Sequence, residues 1–177
     1  VKNDAAIAHN QDESNPYYDP AGDQAAENGN IFATSQVDAN YVWGMNFWIS
    51  APFHLVPILP PRLAFVGFGS FNEAAGGVQM AAVLDVRSAP PAQPDTSYPI
   101  FFPADGSSTW VVRNSMFEWP DPLTNCPGFT RPTGAPIVLL LGDGSQQPRI
   151  FSHTLYTGDT EIETCLIHET NYRNPDG

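Results

Sequence analysis

Apolar residues recur at helical spacing over residues 35–51 and predict a helix there. Its predicted buried stripe consists of Val42, Met45, Trp48 and Ile49. Ser35 and Asp38 have the spacing of a capping box, with the acid at the positive end of the helix. Pro52 breaks the pattern. The sequence therefore places His54 in a short connection just beyond the helix.

Two β-strands are predicted after this helix, over Leu63–Gly69 and Gly77–Val86, because each is a short apolar run bounded by turn residues. The glycine-rich turn Asn72–Gly76 joins them into an antiparallel pair. Before the helix, Asn28-Gly29-Asn30 favours a turn. Short helices are predicted over Val1–His9 and Gly22–Glu27.

Short strands with turn residues between them follow in the second half, and this pattern is typical of a β-sandwich. Ile100–Pro103 and Thr109–Arg113 are expected to pair with each other. The further predicted strands are Ile137–Leu141, Arg149–Leu155 and Glu161–Ile167. They are expected to make only part of a sandwich.

The proline-rich run Ala89–Pro94 predicts a stiff linker of polyproline character, and we place a domain boundary there. The sequence thus divides into three parts, which are residues 1–87, a linker and loop region over 88–133, and a β-strand region over 134–177. The strand region is expected to belong to a β-sandwich.

The formal net charge of −12, with only seven lysines and arginines, opposes binding to a phosphate backbone. The same charge disfavours an anionic membrane surface, and no run approaches the roughly 18 apolar residues that span a bilayer. Nucleic acid is therefore excluded as a partner, and no transmembrane segment is predicted.

The two cysteines, Cys126 and Cys165, have no second cysteine or histidine at zinc-finger spacing, which leaves a disulfide or two free thiols. An acidic, lysine-poor and proline-rich composition suits an exported protein and favours the disulfide. We expect it to tie the turn-rich passage around Cys126 to the strand that ends near Cys165.

Four segments in order resemble the CAP superfamily, which includes cysteine-rich secretory proteins, antigen 5 and pathogenesis-related proteins. They are His9, Asn30-Ile31, Trp48–His54 and Val66–Gly69. In the exported bacterial branch, a helix ending in a Trp-x-x-Ser-Pro-x-His-like motif precedes a Val-Gly-x-Gly-like strand. The resemblance implies an α+β fold, with a partial CAP-like α-β-α sandwich over residues 1–87 and a β-rich, sandwich-like C-terminal region.

The resemblance also implies an apical cleft lined by two histidines and two glutamates, in which His9 and His54 match the histidines. Gly29 and Ala51 stand at the two glutamate positions. Asn30 and Glu13 are the other residues expected at this ligand-binding cleft. Two imidazoles supply half of a tetrahedral site, so zinc or another divalent metal is a candidate cofactor.

A histidine pair without a carboxylate lacks the base that hydrolysis needs, unless an acidic residue from the preceding loop reaches the cleft. The candidates are Asp12, Glu13 and Glu27. His153 and His168 are expected to be surface histidines. The Asp-Gly-Ser segments at 105–107 and 143–145 are expected in hairpin turns rather than calcium loops.

Three functions remain open on this evidence. The first is an extracellular or cell-surface protein that binds a lipid, a glycan or a protein, without catalysis. The second is a metal-dependent hydrolase, which a carboxylate close to both histidines would favour. The third is a structural subunit of an extracellular assembly with other copies or fragments of the same protein, which an exposed strand edge would favour. The resemblance implies a further helix before His9, and the terminal strands have too few partners to close a sandwich, so the chain is expected to be incomplete at both ends.

Overall fold

The computed structural model describes residues 8–93 and 95–173, which combine helices with small antiparallel sheets in an α+β fold. These residues form two compact units. The first comprises the described residues up to Ser50 together with His54–Thr96, and the second comprises Ala51–Phe53 and the described chain from Ser97 onward. The predicted three-part division stays a prediction. Most of the predicted helix over Val1–His9 lies outside the described residues.

The elements up to residue 96 are α1 (Pro20–Glu27), β1 (Gly29–Thr34), α2 (Tyr41–Ser50), α3 (Pro52–Leu55), a 3-10 helix (Val56–Ile58), β2 (Gly67–Asn72) and β3 (Met80–Asp85). Helix α1 confirms the helix predicted over Gly22–Glu27 and begins earlier, because Asp19 caps it and Pro20 occupies its first turn. No described helix is long and apolar enough to cross a membrane.

The first unit contains a three-stranded antiparallel sheet in the order β1-β3-β2. The pair β2 and β3 confirms the predicted antiparallel pair, although β2 begins four residues later than predicted and β3 covers only the inner part of its predicted range. Strand β1 was not predicted, because Asn28-Gly29-Asn30 is typical of a turn. Burial alternates along β3, where Met80, Ala82 and Leu84 are buried. These side chains share one face of the sheet because strand residues alternate between faces.

Helix α2 begins at Tyr41, six residues later than predicted. The prediction of a capping box at Ser35 and Asp38 is therefore wrong. Strand β1 extends to Thr34 and leaves Ser35 in the bend that follows it. The side chain of Asn40 accepts from the amide of Val42 at 2.9 Å and serves the start of the helix instead.

The buried face of α2 also differs from the predicted stripe. Its buried residues are Gly44, Phe47, Trp48 and Ser50, so Trp48 alone is shared with the prediction. The rings of Phe47 and Phe32 lie 5.7 Å apart, which shows that this face packs on β1. Contact with the sheet, rather than the apolar pattern alone, decided which side of the helix faces inward.

His54 lies inside a second short helix, α3, and not in an irregular connection as predicted. Proline lacks an amide hydrogen, which the first helical turn does not need, so Pro52 starts α3 as well as ending α2. The 3-10 helix Val56–Ile58 continues directly from it. Pro57 lies within this 3-10 helix.

The second unit contains three two-stranded antiparallel sheets, formed by β4 with β7, β5 with β6, and β8 with β9. The strands are β4 (Ile100–Phe102), β5 (Arg113–Asn114), β6 (Thr133–Gly134), β7 (Val138–Leu140), β8 (Leu155–Thr157) and β9 (Thr160–Ile162), with a 3-10 helix at Pro122–Asn125. The predicted pairing of the segments at 100–103 and 109–113 is wrong, since β4 pairs with β7 and β5 with β6.

A disulfide joins Cys126 to Cys165, as predicted, with their Cα atoms 5.7 Å apart. Cys126 follows the 3-10 helix and is buried. Cys165 lies shortly after the hairpin formed by β8 and β9. The bridge therefore ties the turn-rich passage to the C-terminal part of the second unit.

Candidate functional site

Two of the motif segments meet in the first unit. The side-chain amide of the buried Asn30, in β1, donates to the backbone carbonyl of His54, in α3, at 2.7 Å. The His54 ring packs edge-on against Phe47, with 4.8 Å between ring centroids. Residues 24 positions apart are thus held together by a hydrogen bond and an aromatic contact. The arrangement fixes the half-buried His54 relative to the sheet.

His9 is tied to the last turn of α1, because its Nδ1 lies 2.6 Å from the carbonyl oxygen of Ala26. A carbonyl oxygen only accepts, so Nδ1 carries the hydrogen of this bond. In the neutral ring Nε2 then keeps its lone pair, ready to accept a proton or bind a metal. The exposed His9 therefore offers a single ring nitrogen as a ligand.

Gly29, which the resemblance aligned with a glutamate, has no room for a side chain. A Cβ atom there would lie 2.6 Å from the carbonyl oxygen of Ala25, 2.8 Å from Cγ1 of Val83 and 2.9 Å from the carbonyl oxygen of Leu84. Two of these three atoms belong to the backbone, which cannot move aside cheaply. The chain packs α1 against the sheet at the point where the motif would place a carboxylate.

We expect Gly29→Ala to lower the free energy of unfolding by about 2 to 3 kcal/mol, because an added methyl group forces the backbone of α1 and β3 apart. The measurement is the urea midpoint followed by far-ultraviolet circular dichroism. Gly69→Ala, in β2, is the matched control, since a Cβ atom there meets nothing within 4 Å. Equal midpoints for the two variants would contradict the steric explanation.

Three acidic side chains lie around Tyr18, namely Glu13 in the loop before α1 and Asp23 and Glu27 in α1. Asp23 accepts from the amide of Gln11 at 2.6 Å and from the hydroxyl of Tyr18 at 3.5 Å. Burial, followed by the negative charges of Asp23, Glu13 and Glu27, raises the pKa of Tyr18 above its ordinary value. Glu13 and Glu27 are acidic candidates in the sequence, whereas no motif there indicates Asp23.

Asp12 is bound locally by Ser14, whose hydroxyl and amide donate to its carboxylate at 2.7 and 2.9 Å. These hydrogen bonds lower the pKa of Asp12 below its ordinary value. An effective general base has a pKa near the working pH. Asp12 is therefore poorly suited to replace the missing glutamate.

The donor set around the histidines does not fit a resident zinc centre, which takes four ligands in structural sites and three in catalytic ones. Within residues 8–93 and 95–173, no three side chains of His, Cys, Asp or Glu are grouped to hold a metal ion. His153 is exposed, and His168 engages Thr170 through its Nδ1. No reaction step through a metal follows from these residues.

In the second unit, the buried Glu118 accepts from the amide of Phe53 at 3.0 Å. Asp121 binds both terminal nitrogens of the Arg131 guanidinium, one of them at 2.9 Å. These hydrogen bonds lower the pKa of Asp121. The guanidinium also lies 4.5 Å from the ring centroid of Phe117. No motif in the sequence indicates these contacts, which join residues up to 65 positions apart.

Neither a family model nor a curated protein nor a solved structure matches the chain. Functional inference therefore depends on the motif residues and on the geometry described above.

Proposed function

We propose that the first unit is a CAP-like domain that acts by binding a ligand, a lipid, a glycan or a protein, without efficient hydrolysis. The observation that carries this proposal is the hydrogen bond from Asn30 to the carbonyl of His54. It brings together two segments that each resemble the CAP motif.

The two glutamate positions support binding over catalysis. Gly29 is enclosed by backbone atoms, and Ala51 is fully buried. A carboxylate beside a histidine fixes the tautomer of the ring, raises its basicity and activates water. Glycine and alanine do none of these. The proposed cleft therefore keeps two imidazoles, His9 and His54, and lacks the base for water attack.

The proposed location is outside the cell or at its surface. A disulfide between Cys126 and Cys165 persists in oxidising compartments and is rare in the cytosol. The net charge of −12 disfavours nucleic acid as the ligand. Exposed aromatic side chains on the first unit, among them Tyr17 and Tyr41, suit a lipid, a glycan or a protein instead.

Zinc chloride titration and hydrolysis assays test the proposal. We expect weak zinc binding to the wild-type protein by calorimetry, and its loss in His54→Ala, because two neutral imidazoles supply only half of a zinc site. His153→Ala, which removes an exposed histidine of the second unit, is the matched control and should bind as the wild type does.

With p-nitrophenyl acetate and a fluorogenic peptide, the wild type should turn over substrate no faster than His9→Ala or His54→Ala. Turnover that disappears in both of these variants and persists in His153→Ala would overturn the non-enzymatic proposal. Glu13 and Glu27 would then be the first residues to test as the base.

A further inference from the structure

Strand β2 forms an edge of the three-stranded sheet, and all six of its residues are exposed. Among residues 8–93 and 95–173, β3 is the only strand paired with it. Natural edge strands are usually protected by charged side chains, prolines, bulges or a covering element. The β2 sequence, Gly-Phe-Gly-Ser-Phe-Asn, contains no charged residue and no proline. This edge is therefore suited to pair with a further strand.

The hydrogen-bond pattern determines which backbone groups of β2 point outward. The amide of Glu73 donates to the carbonyl of Gln79 at 2.9 Å, one position beyond the last register pair of Asn72 with Met80. Hydrogen-bonded and non-hydrogen-bonded pairs alternate along an antiparallel ladder. The residues that bond to β3 are therefore Gly67, Gly69 and Phe71. The amides and carbonyls of Phe68 and Ser70 point away from the sheet.

We propose that β2 pairs with β2 of a second copy of this chain, antiparallel about Gly69, so that two sheets join into one of six strands. In this register Phe68 lies opposite Ser70 of the second copy. Phe71 lies opposite Gly67 of the second copy, and the two Gly69 residues lie opposite each other. Each bulky ring thus faces a small residue, and aromatic residues placed across from glycines stabilise sheets in this way.

Other registers fit less well. A shift by one residue would set the outward backbone groups of one strand opposite residues that bond to β3 in the other. It would also place the side chains of the two strands on opposite faces of the joined sheet. One shift by two residues sets Phe68 against Phe68 of the second copy. In the proposed register Glu73 faces Phe65, so no like charges meet although each chain carries −12.

The apolar area at this edge suits a weak dimer of two copies. Phe65 is 71% exposed, Val66 50%, Phe68 49% and Phe71 48%. Because an aromatic side chain has about 150 to 250 Å² in total and these are roughly half to two-thirds exposed, pairing of two copies removes at most about 1,000 Å² from water. That area is near the lower limit for a specific interface. We expect dimers at concentrations on the order of 0.1 mM. The pairing does not depend on the histidine site.

Sedimentation equilibrium over about 1 to 500 µM tests the dimer. The wild type should move from 19.3 kDa toward twice that mass as concentration rises. Ser70→Pro removes the outward amide hydrogen that would bond to the second copy, so this variant should stay monomeric. An edge strand tolerates proline at such a position. Ser70→Thr keeps the amide and should dimerise as the wild type does. Circular dichroism shows that each variant is folded. A monomeric wild type at the highest concentration, or equal dimerisation of both variants, would overturn the proposal.

Cysteine crosslinking tests the register. In the proposed pairing Gly69 lies opposite itself in a non-hydrogen-bonded pair, with Cα atoms about 4.5 Å apart, a separation that a disulfide spans. Gly69→Cys has space for its side chain and should form a covalent dimer under mild oxidation. The control variant is Ser107→Cys, in an exposed turn of the second unit. It should form at least tenfold less covalent dimer than Gly69→Cys. Equal crosslinking of the two variants would contradict the register. Binding of an extended peptide to β2 of a protein that stays monomeric would contradict the proposed dimer.

Discussion

Replacing Trp48 with alanine should lower the free energy of unfolding by about 3 to 5 kcal/mol, the range for removing a buried tryptophan. Trp48 is 0% exposed and is among the largest fully buried side chains of the described chain. The Cβ position of Gly44, one helical turn earlier, lies 3.5 Å from its Cη2 atom. The indole is thus within ordinary van der Waals distance of its own helix, and alanine at position 48 would leave a cavity there.

Urea unfolding followed at 222 nm measures this loss. Trp43→Ala removes the same side chain from the same helix at a position 44% exposed, and should cost less than half as much. Trp48→Phe should also cost less, because it keeps a ring and removes an indole N–H that makes no hydrogen bond within the described residues. Equal losses for Trp43→Ala and Trp48→Ala would show that burial of Trp48 is not the main contribution.

Removing the disulfide by the paired change Cys126→Ser and Cys165→Ser should destabilise the second unit by about 4 kcal/mol. The bridge spans a sequence separation of 39 residues, and it restricts the unfolded chain over that length. The β-ladders of this unit are only two or three residue pairs long, so their hydrogen bonds hold its segments together weakly. When the disulfide is removed, little regular hydrogen bonding remains to stabilise the second unit.

Urea unfolding with and without a reducing agent measures the contribution of the bridge. The wild-type midpoint should fall in reductant to that of the double variant, whereas the double variant should not respond to reductant. The Gly29→Ala variant keeps both cysteines and serves as a destabilised control that still responds. A double variant with the wild-type midpoint would contradict the expected loss.

Features set by neighbouring residues could be predicted from the sequence. Asp19 and Pro20 start α1 near the predicted helix, Pro52 ends α2 close to the predicted position, and the hairpin of β2 and β3 follows from its glycine-rich turn. The composition favoured the disulfide because it indicated an oxidising environment. Each of these signals acts over a few residues or over the whole composition, and needs no knowledge of distant contacts.

Tertiary structure decided the features that depend on distant partners. The local sequence of β1 favours a turn, but its register with β3 joins Gly29 to Asp85 and makes it a strand. Strand β4 pairs with β7 rather than with a nearby segment. The buried side of α2 follows its contact with the sheet. In each case packing and ladder hydrogen bonds outweighed a weak local preference.

The candidate site shows the same division. The types of residue at His9, Asn30 and His54 come directly from the sequence, and so does the lack of a carboxylate at Gly29. Only the fold joined Asn30 to His54, and only the fold showed that Gly29 has no room for a side chain. The physical reason is that a sequence determines which groups are present, whereas distances between segments depend on the long-range contacts that close the chain into a sheet.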